Sequence, residues 1–215
     1  MAQNDIAYPV NYSVTFPDRP LDRFSSFFRI LFIIPIAVVL GFLSQVDYGG
    51  DFGYGFWYGF WVSGAAIGVL FIPTLLMILF REKYPRWWYD WNFNILKFAY
   101  RVESYLLLLR DEYPSTDEDQ EVQVELPYPD VSKELNRYLP LVKWLLAIPH
   151  YIVLIFLWIG VIVAAVIAWF SILFTGEYPR SLHEYIVGVQ RWSLRVEAYA
   201  FILTTDRYPP FQLDP

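Results

Sequence analysis

Four apolar runs, at residues 27–44, 60–80, 138–157 and 158–174, limit what this chain can fold into more than any other feature. An α-helix needs about 20 apolar residues to cross a hydrocarbon core about 30 Å thick. Three of the runs reach or approach that length, and residues 158–174 are short for it. Hydrophobic residues make up 56% of the chain and aromatics 20%, with a mean hydropathy of +0.34. That balance lies outside the soluble globular range and predicts an integral membrane protein with four transmembrane helices. The first run follows a polar, proline-containing stretch that has neither a basic n-region nor a small-residue cleavage site, so it reads as a retained crossing.

The second constraint is an internal repeat. Tyr84-Pro85-Arg86 recurs as Tyr178-Pro179-Arg180, and Arg101-Val102-Glu103 as Arg195-Val196-Glu197, both displaced by 94 residues. "DEYP" at 111–114 recurs as "DRYP" at 206–209. Upstream the displacement is 114, which sets Arg29 on Lys143 and Pro35 on Pro149. The first half therefore carries about 20 extra residues between its two apolar runs, at the glycine-aromatic stretch around 45–61. The predicted units are 1–115 and 116–215, each built as strand, transmembrane hairpin, interfacial amphipathic helix and strand.

Alternation at Tyr8, Val10, Tyr12, Val14 and Phe16, and at Val122, Val124 and Leu126, predicts the opening strands. Residues 105–110 and 199–204 are the expected closing strands, and the four together a small cytoplasmic β-sheet. The interfacial helices are expected at 86–104 and 180–198. Asp90, Asn94, Lys97, Arg101 and Ser104 recur at intervals of 4, 3, 4 and 3, which makes one polar stripe on an otherwise apolar helix. A helix of that pattern suits the membrane interface, with Trp87 and Trp91 at headgroup depth and its cations toward lipid phosphates. Glu184, Arg191 and Arg195 continue the stripe in the second copy. Arg101 with Glu197, and Arg195 with Glu103, are the expected ion pairs between the halves.

All sixteen Lys and Arg fall outside 45–60. The positive-inside rule then places both termini in the cytoplasm of a multi-pass protein. Arg29 and Lys143 sit a turn inside their apolar runs, where they either snorkel to headgroups or mark an anion site. Phe56, Trp57, Tyr58 and Trp61 form an aromatic cluster suited to a membrane boundary or a partner surface. His150 and His183 have no second ligand at metal spacing. No phosphate loop, dinucleotide fingerprint or nucleophile elbow occurs. With no cysteine there is no disulfide or thiolate site, and a net charge of -6 argues against nucleic acid.

The doubled "YPR" and "RVE" and the segment "GEYPRSLHEYIVGVQRWSLRVEAYAFILTTDRYPPF" resemble the bacterial family known as domain of unknown function 4389. The resemblance implies two tandem copies in a polytopic protein of the bacterial inner membrane, and it carries no catalytic residue. The expected function is non-enzymatic, with no cofactor: a membrane scaffold or accessory subunit that contacts lipids and another membrane protein, or itself as an oligomer. A transporter or channel for an ion or lipid is the alternative. The residues expected at lipid or partner contacts are Arg29, Lys143, Trp87, Trp91, Lys97, Arg101, Glu103, Arg191, Arg195, Glu197, Phe56, Trp57, Tyr58 and Trp61.

Overall fold

A computed structural model describes residues 8–43 and 62–215. Phe56, Trp57, Tyr58 and Trp61 lie outside them. The strands are β1 (Asn11–Val14) and β2 (Val122–Glu125). The helices are α1 (Arg23–Phe27), α2 (Arg29–Leu43), α3 (Val62–Arg81), α4 (Arg86–Leu106), α5 (Val131–Glu134), α6 (Pro140–Leu146), α7 (Ile148–Thr175) and α8 (Arg180–Glu197). A π-helical turn, Ala198–Ile202, follows α8 directly.

The elements stack in three layers. β1 and β2 pair antiparallel, Tyr12 opposite Val124, and the alternation of both strands turns Val10, Tyr12, Val14, Val122, Val124 and Leu126 inward. β1 lies on α8 and β2 on α4, so these two helices form the middle layer. The third layer is apolar: α7 packs along α8, while α2 and α3 pack on α4. α2 meets the C-terminal half of α4 through Ile33, Ile36 and Leu40 against Phe98, Val102 and Tyr105. α3 meets the other end, where Trp88 donates to Thr74 at 2.9 Å.

The runs at 138–157 and 158–174 are not the two arms of a transmembrane hairpin. Residues 148–175 form one helix, and it is the candidate for crossing a membrane among the described residues. Gly160 serves close packing: a Cβ there would collide with the Tyr185 hydroxyl, which donates to Leu157 O at 2.8 Å. Pro149 sits in the first turn of α7, where no helical N–H is required of it, so it does not interrupt the helix.

The closing strands also do not form. Residues 105–106 end α4, and Ala198–Ile202 is helical. Each segment is instead closed by a leucine in the left-handed region, Leu108 at φ 64° and Leu203 at φ 62°. Leu109 N donates to Ser104 O at 3.0 Å and Thr204 N to Ala198 O at 3.1 Å, which satisfies backbone groups that a sheet would otherwise have to pair. Among the described residues the sheet accordingly has two strands.

A polar seam between two amphipathic helices

The polar stripe of α4 changes role along its length. Asp90 and Asn94 are partly or fully exposed near its start, whereas Arg101 and Ser104 are buried near its end. α8 is buried over most of its surface from Ile186 to Val196, including Gln190, Ser193 and Arg195. Of these, Ser104 and Gln190 meet at Tyr12 of β1, inside the molecule. Trp87 is 70% exposed and Trp91 48%, as an outward aromatic edge requires. Lys97 is half-buried.

At the centre of the seam, the Tyr12 hydroxyl lies 2.6 Å from Ser104 Oγ and donates to Gln190 Oε1 at 2.8 Å. The Gln190 side chain stands beside Glu103, and Tyr100 donates to Glu197 Oε2 at 3.0 Å. This chain of contacts joins β1, α4 and α8. It also brings Glu103 and Glu197 close enough for Glu103 to oppose the ionisation of Glu197. Burial raises both carboxyls to about 8; the Gln190 amide acts against this at Glu103, and the Tyr100 hydroxyl at Glu197. Burial also drives the Tyr100 phenol well above its ordinary value, and both glutamates push it further. A seam with two carboxyls of raised pKa can hold and exchange protons near neutral pH.

The expected pairs Arg101–Glu197 and Arg195–Glu103 are absent. Arg101 Nη1 instead donates to Ser115 O at 2.6 Å, with Asp119, Glu112 and Asp117 nearby. Arg195 stacks over the Tyr8 ring at 5.7 Å. Arg191 donates to Tyr12 O and Leu213 O, each at 2.8 Å, which ties α8 to β1 and to the C-terminal segment. The reason is positional. Arginine and glutamate two residues apart lie on different faces of one helix, so each glutamate turns into the seam and each arginine turns away.

The pairs that do form join residues the sequence reading kept separate. Arg29 is 2% exposed; it pairs with Asp111, donates to Arg110 O at 2.7 Å, and lies 4.1 Å over the Tyr105 ring. Lys143 is fully buried; it pairs with Asp206 at 2.6 Å, donates to Thr205 O at 2.7 Å, and lies 5.2 Å over the Tyr199 ring. Neither cation snorkels outward. The signal was available in the sequence, because Asp111 and Asp206 open the recurring "DEYP" and "DRYP" just as Arg29 and Lys143 recur upstream.

The histidines are packed among aromatic rings. His150 Nδ1 accepts from Trp192 Nε1 at 3.0 Å, and its ring stacks on Phe211 at 3.9 Å. His183 lies edge-on to Phe16 and Tyr178, and burial lowers it to about 4. Among the described residues no cluster of His, Asp and Glu could hold a metal.

No curated protein and no solved structure matches the chain. Residues 140–212, which span α6 to the C-terminal segment, match the family model described as Domain of unknown function (DUF4389), and the match supports that family for the second half of the chain.

Proposed function

We propose that this protein is a non-enzymatic accessory or scaffold subunit seated in the bacterial inner membrane, with both termini on the cytoplasmic side. One observation carries the reading: charge is turned inward beneath an outer face that is apolar and uncovered. Ile30, Leu31, Phe80, Phe156, Val163 and Phe174 are all exposed on the third layer, far more apolar surface than a soluble monomer shows. Lipid is the natural cover for such a layer, and the exposed Trp87, Trp91 and Trp144 suit its headgroup rim.

A duplicated origin for the two halves is part of the proposal. The matched environments of Arg29 with Asp111 and Lys143 with Asp206 support it, as do the left-handed Leu108 and Leu203. Extraction into nanodiscs followed by native mass spectrometry is the test. A fixed-stoichiometry complex or oligomer with retained lipid is expected; a bare monomer without lipid would remove the scaffold reading. A proton-coupled transporter is the second reading, favoured by Glu103 and Glu197. It requires a pH-driven flux in liposomes that Glu103→Gln abolishes.

A further inference from the structure

α7 is apolar on every side, but only one side is free. Phe156, Ile159, Val163 and Phe170 are exposed, while Val161, Ala168 and Ile172 on the opposite face are fully buried. Residues 8–21 run along the buried side, beyond α8. At the start of α7, Tyr208 donates to Leu146 O and Tyr8 to Arg207 O, each at 3.1 Å. At the far end Leu21 N donates to Gly176 O at 2.9 Å. The segment is strand over Asn11–Val14 and bends at Asp18 and Arg19 before it reaches Gly176. Its contacts therefore place one end near the start of α7 and the other at the end of α7.

A helix aligned with the membrane normal would carry this segment through the hydrocarbon. Ser13 and Thr15, and Gln123 and Glu125 on β2, are exposed polar residues on the outer face of the sheet. Lipid offers those groups no hydrogen-bond partner. We infer that α7 lies in the plane of the membrane: the third layer is seated in the acyl chains of one leaflet, the sheet faces water, and both ends of α7 are on the same side. The inference rests on the membrane reading above and replaces a crossing with a one-sided seat.

The chain has no cysteine, so single-cysteine variants can be placed cleanly. Lys133→Cys and Glu177→Cys put exposed thiols on either side of α7 in the sequence. In sealed vesicles of bacterial phospholipid, an impermeant maleimide should label both from the same side; labelling from opposite sides overturns the inference. Spin labels at Ile152, Ile159 and Phe170 should report one common depth, and a maximum at the helix centre overturns it equally. Should the vesicles float without the protein, the membrane reading itself fails. Protein that floats but labels from both sides refutes only the in-plane seat. Gel filtration of each variant confirms that the fold is retained before labelling.

Discussion

Lys143 illustrates how a single side chain is held. Its ammonium is fully buried, and Asp206 and Thr205 O satisfy it. Removing one partner of such a pair leaves an uncompensated charge, at a cost of about 3–5 kcal/mol, whereas replacing both with apolar residues of similar volume is often neutral. Asp206→Asn should therefore lower thermal stability in detergent more than Lys143→Met combined with Asp206→Leu, and differential scanning fluorimetry can rank the two. Gly160 gives a second prediction at this scale. A methyl group there meets the Tyr185 hydroxyl, so Gly160→Ala should destabilise by about 1–3 kcal/mol despite its favourable helix propensity. Tyr185→Phe alongside it should recover part of that loss, because it deletes the colliding oxygen.

At the scale of the element, α4 and α8 are held together by a seam whose protonation depends on pH. Glu103 and Glu197 ionise at about 8 in the fold, against 4.5 for an ordinary glutamate. Between those values the folded chain keeps protons that the unfolded chain has released, so stability falls as pH rises through that window and levels off above about 8. His183 acts in the opposite sense. It stays neutral until about 4, so the stability it contributes is lost as pH falls from 6.5 through that value. Denaturation at a series of pH values should show both slopes. The two windows overlap between 4.5 and 6.5, where the glutamates oppose His183, so the double variant Glu103→Gln, Glu197→Gln should remove the fall above 6.5 and uncover the His183 rise below it; an unaltered fall above 6.5 would place its origin elsewhere.

At the scale of the whole molecule, the apolar third layer sets where the protein can reside. Phe156→Lys combined with Ile159→Lys puts two charges on its outer face without touching the buried side of α7. That variant should move from the membrane fraction in vesicle flotation while its circular dichroism stays the same. Ser13→Lys, on the exposed face of the sheet, should change neither measurement. Loss of membrane binding by Ser13→Lys instead would mean that the sheet, and not the apolar layer, contacts lipid.

Periodicity alone located the opening strands and the two amphipathic helices, because alternation by 2 and spacing by 3 and 4 are properties of neighbouring residues. The sequence also marked Arg29, Lys143, Arg101, Glu103, Arg195 and Glu197 as residues to explain. It did not determine their partners. Asp111 is 82 residues from Arg29, and Tyr12 is 178 from Gln190, so those contacts exist only once the layers have closed. The fate of residues 138–174 was decided in the same way. Apolar composition permits a hairpin or one long helix equally. The packing of Tyr185 into the space left by Gly160 favours the long helix, since a close approach of that kind needs a regular groove with no Cβ. Local chemistry thus determined the opening strands, the two amphipathic helices and their apolar faces; tertiary structure decided the single long α7, the helical close at Ala198–Ile202, which charges meet and which apolar face stays uncovered, because these are set by distance in space and not along the chain.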